Sequence, residues 1–204
     1  MGWFWFQRKK SYPKFWETYL EYFPKSNSAD TPNRYVIFDT ETTGLHPGRD
    51  VMLSIGAVTV ENNYILANES IELFLKQDKF TPETVPIHGI LQEGNIEKIV
   101  EAEAVIRFVE FIKDAVLVGH HIAFDVAMFN QALKRLGAGK LKNEKMDTDA
   151  LYRKWKGWQD DQHTGLDELC KVFKIPMEDR HTALGDAFIT AIVFLKLKQR
   201  LGIP

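Results

Sequence analysis

The apolar positions change their period along the chain, and the changes mark its elements. From Pro13, residues Phe15, Trp16, Tyr19, Tyr22 and Phe23 recur at three- and four-residue spacing, which predicts an amphipathic helix. The segment 35–38 is an apolar run of the strand type, 51–60 is apolar and β-branched, and 64–75 reads as a third strand. Short turns join these three, which predicts an antiparallel meander. Prolines and glycines punctuate 80–94, so that stretch is expected to be loop with short helical pieces. Helical periodicity returns over 96–113, and 115–119 is wholly apolar, as a strand buried on both faces would be. Further on, helices are predicted at 124–136, 148–154, 164–173 with Thr164 as its cap, and 183–200, with one short strand at 145–147. A meander followed by helix–strand alternation predicts an α/β layer fold with a mixed sheet.

Composition adds bounds. With 204 residues, 45% hydrophobic and 26% charged, the chain is long enough for one domain with a sizeable core plus an appendage. Its net charge of -2 excludes the global basic signature of a protein that coats nucleic acid, but not an enzyme that grips a strand end. The single cysteine, Cys170, excludes an internal disulfide and fits a reducing compartment, so the cytoplasm is the expected location. No apolar run approaches the length that spans a bilayer. Residues 1–34 form an aromatic and basic arm with a linker, and 35–204 the main domain. Trp3, Phe4, Trp5 and Phe6 precede Arg8, Lys9 and Lys10, the reverse of the order in a signal peptide. The arm is expected either to pack on the domain or to serve a partner, a membrane surface or a second subunit.

The candidate chemistry begins where the first strand ends, in Phe38-Asp39-Thr40-Glu41-Thr42-Thr43-Gly44-Leu45. Strand side chains alternate, so Asp39 and Glu41 project from one face. Two carboxylates held that close repel unless a positive charge sits between them, and oxygen ligands suit magnesium or manganese. Asp125 lies just beyond the buried strand at the start of a helix, sharing a face with Met128 and Phe129. Asp186 sits on a helix face otherwise built from Ile189, Thr190 and Val193. His181, five residues earlier, must leave that helix at its N-terminal end to reach the same centre, a place suited to a general base. Four acids and one histidine fit a two-metal phosphoryl displacement. His46, His120 and His163 lack a second ligand at metal-site spacing and read as loop or core. Asp147 and Asp149 read as helix caps. The basic stretch Lys140, Lys142, Lys145, Arg153, Lys154 and Lys156, near Trp155 and Trp158, reads as a solvated face or as a groove wall for an incoming strand.

These three strings, with His121-Ile-Ala-Phe-Asp125 and His181-Thr-Ala-Leu-Gly-Asp186-Ala as the second and third, resemble the motifs of the histidine-containing branch of the DEDD 3′–5′ exonucleases. Over residues 35–197 the chain is similar to the epsilon proofreading subunit of bacterial DNA polymerase III. The resemblance implies a ribonuclease H-like fold with a central mixed five-stranded sheet flanked by helices. It implies two divalent ions, with Asp39, Glu41 and Asp186 at the first, Asp39 bridging to the second and Asp125 completing it. His181 becomes the base. Thr42, Thr43, Gly44 and Leu45 would wrap the terminal nucleotide, with Glu83, Ile87, His88 and Phe124 also at the substrate. The implied activity is release of nucleoside monophosphates from single-stranded or frayed DNA 3′ ends in proofreading or repair. RNA trimming is the alternative, and a non-catalytic adaptor acting through the arm is a reading of another class. Two departures from the family pattern stand out: His121 where Asn is usual, and Leu91 where Thr is common. The chain ends soon after its last helix and shows no clamp-binding pentapeptide, which leaves association with a polymerase open.

Overall fold

The computed structural model describes residues 11–23, 34–79, 81–92 and 95–204. The aromatic and basic positions of 1–10 and the linker at 24–33 lie outside these. Six strands form one mixed sheet: β1 (Arg34–Thr42), β2 (Met52–Glu61), β3 (Tyr64–Lys76), β4 (Ile99–Val100), β5 (Val116–Gly119) and β6 (Lys145–Asp147). Their order across the sheet is β4-β3-β2-β1-β5-β6. The pairs β1·β2 and β2·β3 are antiparallel, and the pairs of β1 with β5, β5 with β6 and β3 with β4 are parallel. The expected five strands become six because β4, only two residues long, pairs with the end of β3. It lies within what periodicity assigns to a single helix over 96–113, and the helix itself begins only at Glu101. So short a segment carries no period of its own.

The helices are α1 (Lys14–Glu21), α2 (Val85–His88), α3 (Glu101–Ile112), α4 (Ala123–Arg135), α5 (Thr148–Lys156), α6 (Leu166–Phe173) and α7 (Ala183–Leu201). Strand alternation in β1 divides them between two layers. Val36 and Phe38 join a core with Phe108 of α3, Phe129 of α4 and Trp16 of α1. Tyr35 and Ile37 face Ala187, Ala191 and Phe194 of α7 on the other side. A third cluster binds α5 and α6 to the outer face of α7 through Tyr152, Leu169, Phe173 and Val193. Thr164 is not the cap of α6: Gly165 holds that position with no side-chain bond, and the Thr164 N–H instead donates to Asp149 Oδ1 at 2.9 Å. No described helix is long and apolar enough to cross a membrane.

The aromatic stripe of the arm docks on its own domain. Trp16 and Tyr19 are 1% and 0% exposed, and Phe15, Leu20 and Phe23 pack beside them, while Tyr22 stays on the rim. An added Cβ at Gly139 would lie 3.0 Å from Trp16 Nε1, so that glycine makes room for the indole. The Tyr19 hydroxyl donates to Asn143 Oδ1 at 2.6 Å and accepts from the Lys142 N–H at 2.8 Å, and burial pushes its pKa up to about 12. Removing residues 1–28 should therefore lower the melting temperature and cost a few kcal/mol, because two fully buried aromatics are lost. Whatever chemistry Asp39, Glu41, Asp125 and Asp186 perform should survive, since α1 contributes none of these residues. A truncated protein that melts at the full-length temperature would refute the energetic importance of this docking.

Candidate active site

The alternation that splits the core also builds the site. Asp39 and Glu41 continue the Tyr35–Ile37 face of β1, toward α7, and there they meet Asp186 in the first turn of α7. One oxygen from each of these three carboxylates lies within 4.8 Å of the others. Thr40 continues the opposite face and meets α4: its N–H and hydroxyl both donate to Asp125 Oδ1, at 3.0 and 2.7 Å. Asp125 is thus fixed beside the cluster from the other layer, 4% exposed, and is not one of the three mutually close acids.

Gly56 brings the two sides together. It lies opposite Asp39 in the β1·β2 register, and a Cβ there would lie 2.1 Å from the Leu184 N and 2.2 Å from the Ala183 carbonyl carbon. Only a residue without a side chain lets the start of α7 press on the sheet at this level. Sequence reasoning passed over Gly56, although an isolated glycine inside a buried strand is the signal for a close backbone approach. Gly56→Ala should push α7 outward, cost about 1–3 kcal/mol or more, and lower kcat by about 10²-fold through misplacement of Asp186. Calorimetry and steady-state kinetics check this, and wild-type values for both would contradict it.

The acids are in an environment that disfavours their charge. Burial raises Asp39 well above the usual carboxylate range, and repulsion from Asp125, Asp186 and Glu41 adds to it. Glu41 is pushed from 4.5 to about 7, chiefly by burial and then by Asp186. Burial likewise takes Asp125 from 3.8 to about 7, against the hydrogen bonds from Thr40. Asp186 is raised by burial and held back by Arg180. The Arg180 guanidinium is the cation that opposes this charge: one arm pairs with Asp186 Oδ2, and Nε donates to Asp167 Oδ1 at 2.6 Å. Arg180 was not read as a site residue from sequence, although it adjoins His181.

The donor set suits divalent cations. It is all oxygen, it repels itself, and Asp186 Oδ1 is buried with no hydrogen-bond partner. A carboxyl whose folded-state pKa is raised contributes stability that is fully present below its unfolded value and lost as pH rises through the folded value. With metal ions chelated, the melting temperature should therefore fall as pH rises from about 4 to about 7, the span between the ordinary and the raised values of Glu41 and Asp125. Saturating Mn²⁺ should flatten that fall. A chelated protein that gains stability across the same window would contradict it.

His181 stands just outside α7, exposed, with φ +65°, a left-handed backbone that few non-glycine residues adopt. Its backbone N–H, and its ring when protonated, favour ionisation of Asp186, so it borders the cluster. Thr182 caps the helix, its hydroxyl accepting from the Gly185 N–H at 3.1 Å, and frees His181 from helical geometry.

The expected substrate loop Thr42–Leu45 closes the strand end. The Thr42 hydroxyl donates to the Gly44 carbonyl at 2.9 Å, and Thr43 is buried against Asp50, which also accepts from Lys79. The close neighbour of Gly44 is Asp50 itself, 2.7 Å from where a Cβ would stand. Leu45 and Ile87 are exposed apolar side chains, at 78% and 56%. Glu83 is exposed and Phe124 is partly buried against the α4 core. His88 turns inward: its Nδ1 accepts the Ile90 N–H at 3.0 Å, which leaves Nε2 to donate to the Thr84 hydroxyl at 3.0 Å. Burial lowers its pKa.

Asp147 does more than cap α5. It accepts from the Asp149 N–H at 2.9 Å and also from the N–H groups of His121 and Ile122, at 3.3 and 3.1 Å, holding the entry to α4. His163 is not an isolated loop histidine, because its Nδ1 lies 2.8 Å from Asp149 Oδ2. Within the basic stretch the lysines are exposed, Arg153 pairs with Asp149 and Asp160, and Lys156 lies over the Trp155 ring.

Comparison with known proteins identifies the family. The exonuclease (RNase_T) family model matches residues 36–194. DNA polymerase III PolC-type of Caldanaerobacter subterraneus subsp. tengcongensis is 32% identical over 182 residues, and that of Ureaplasma parvum serovar 3 is 35% identical over 171. The matches take in 86% and 82% of this chain but only 12% of each of those longer proteins. Among solved structures, zinc-bound E. coli ExoI in complex with single-stranded DNA superposes with TM-score 0.73 at 19% identity, over 85% of this chain and 42% of that one. Exonuclease I from Methylocaldum szegediense gives 0.69 at 22% identity, over 83% and 41%. At that identity the likeness concerns the fold, which is the ribonuclease H-like one expected. Family model, relatives and carboxylate arrangement together place this chain in the exonuclease (RNase_T) family of the DEDD 3′–5′ exonuclease superfamily.

Proposed function

We propose that this chain hydrolyses DNA from its 3′ end, releasing nucleoside monophosphates with the help of two divalent metal ions, Mg²⁺ or Mn²⁺. The observation that carries the reading is the cluster of Asp39, Glu41 and Asp186, a buried acid and two half-buried ones that offer oxygens within 4.8 Å of one another, with Arg180 as the cation paired to it. Such an arrangement is costly for a structural role and suited to holding cations. Asp39, Glu41 and Asp186 would hold one ion, and Asp39 and Asp125 the second. Ions bound there supply the positive charge that activates a water and offsets charge developing on the phosphate.

The remaining work falls to the chain. His181, at the mouth of the cluster, takes the proton of the attacking water as general base. Its exposure leaves the ring free to turn toward that water. Exposed Leu45 and Ile87 offer apolar surface to an unstacked terminal base. The loop of Thr42, Thr43 and Gly44, propped by Asp50 and Lys79, holds that surface beside the acids. DNA is favoured as substrate by the PolC-type relatives and by ExoI, which was solved with single-stranded DNA. The PolC-type relatives support a place beside a polymerase.

Side-by-side digestion of matched 5′-labelled single-stranded DNA and RNA, with Mg²⁺ or Mn²⁺ and with chelator, tests the reading. The expected result is a metal-dependent ladder of DNA shortened from the 3′ end. Internal fragments, or faster loss of the RNA, would overturn it.

A further inference from the structure

A second group of metal-ligating side chains lies outside the acid cluster. His121, Asp149 and His163 each offer one ligand atom, and these lie within 4.8 Å of one another. They come from three segments: the turn after β5, the first turn of α5, and the stretch leading to α6. We propose that His121, Asp149 and His163 form a binding site for a transition-metal ion of the Zn²⁺ type, which ties the α5–α6 connection to the turn that begins α4.

The chemistry of the donors selects the ion. Two imidazoles and one carboxylate suit Zn²⁺, Co²⁺ or Ni²⁺, whereas an all-oxygen cluster suits Mg²⁺ and Mn²⁺. Three protein ligands leave one tetrahedral position for water. The geometry is prepared. Asp149 is 1% exposed and its Oδ1 is fixed by the Thr164 N–H, leaving Oδ2 on the side of His163. His121 adopts φ +60°, held by Asp147, so that its ring stands 5.9 Å from the ring of His163. Both histidines are exposed, which gives an ion a path in from solvent. Arg153 approaches Asp149 Oδ2 only to 3.3 Å, its Nε makes no hydrogen bond, and another arm is engaged by Asp160, so this competing cation can yield. Spacing along the chain could not reveal the site, since 28 residues separate His121 from Asp149 by their numbers and another 14 separate Asp149 from His163.

The test uses the full chain carrying Asp39→Asn and Asp186→Asn, which disables the acid cluster. Zn²⁺ affinity is measured against a chromophoric chelator in excess Mg²⁺, and the visible absorption of Co²⁺-loaded protein is recorded. One tightly held Zn²⁺ and a tetrahedral Co²⁺ spectrum are expected. Adding His163→Gln should weaken Zn²⁺ by at least about 100-fold and abolish that spectrum. Because the glutamine amide can still donate to Asp149 Oδ2 in place of the His163 ring, the metal-free protein should keep its melting temperature within a few degrees, and this control separates loss of ligand from loss of fold. Absence of Zn²⁺ binding in the double variant, or equal binding with and without His163, would overturn the proposal.

Discussion

Replacing Asp39 or Asp186 by alanine is expected to abolish nuclease activity while the protein stays folded. Each change removes an oxygen donor from a cluster that has three, and with it the charge that would hold a divalent ion in place. Stabilisation of phosphate charge by such ions amounts to several kcal/mol, so the rate should fall by at least about 10³-fold. Stability should not fall in step. Asp39 is repelled by Asp125, Asp186 and Glu41, and losing any one of these acids relieves the others. In Asp186→Ala the Arg180 guanidinium keeps Asp167 as its partner. In chelator, both variants should therefore melt no lower than the wild type. Near-wild-type activity in either, in protein free of host nuclease, would sink the assignment, and an unfolded variant would show that these acids serve the fold.

The second large effect is expected at His181. Its replacement by alanine should reduce kcat by about 10²- to 10⁴-fold, the usual contribution of a general base. Metal affinity should be preserved, because the ring is not among the mutually close donors. The split between the two readouts is what identifies the role. Loss of a Mn²⁺ site in calorimetric titration of His181→Ala would assign the residue to metal binding. The left-handed backbone at His181 adds a further expectation: His181→Gly should keep the helix start intact and lose the rate to the same extent.

Much of the molecule was legible in the sequence where one physical rule dominated. The wholly apolar run of β5, the alternation of β1 and the periodicity of α4 and α7 each follow a single period, and the structure has them within a residue or two of the expected places. The facing of Asp39 and Glu41 followed from strand alternation alone, and the departure of His181 from its helix followed from the angle between it and Asp186. What was not legible depended on contacts between distant segments. The two-residue β4 exists only because β3 lies alongside it. Gly56 matters because the Ala183–Leu184 backbone reaches it from 127 and 128 positions away by residue number. Arg180 carried no pattern of its own, and its pairing with both Asp167 and Asp186 comes from the packing of α6 against α7. The same holds for His163 and Asp149, which local spacing separates and the fold brings to 2.8 Å.

The central claim is that β1 and the start of α7 together make a metal site, with α4 supplying the further acid. Titration of Mn²⁺ into wild-type protein and into Asp39→Asn, followed by electron paramagnetic resonance of the free ion, tests this most directly. Asp39 is shared by both proposed positions, so the account predicts saturable binding by the wild type and its loss in the variant, with the fold retained. Equal Mn²⁺ binding by the two proteins would contradict it.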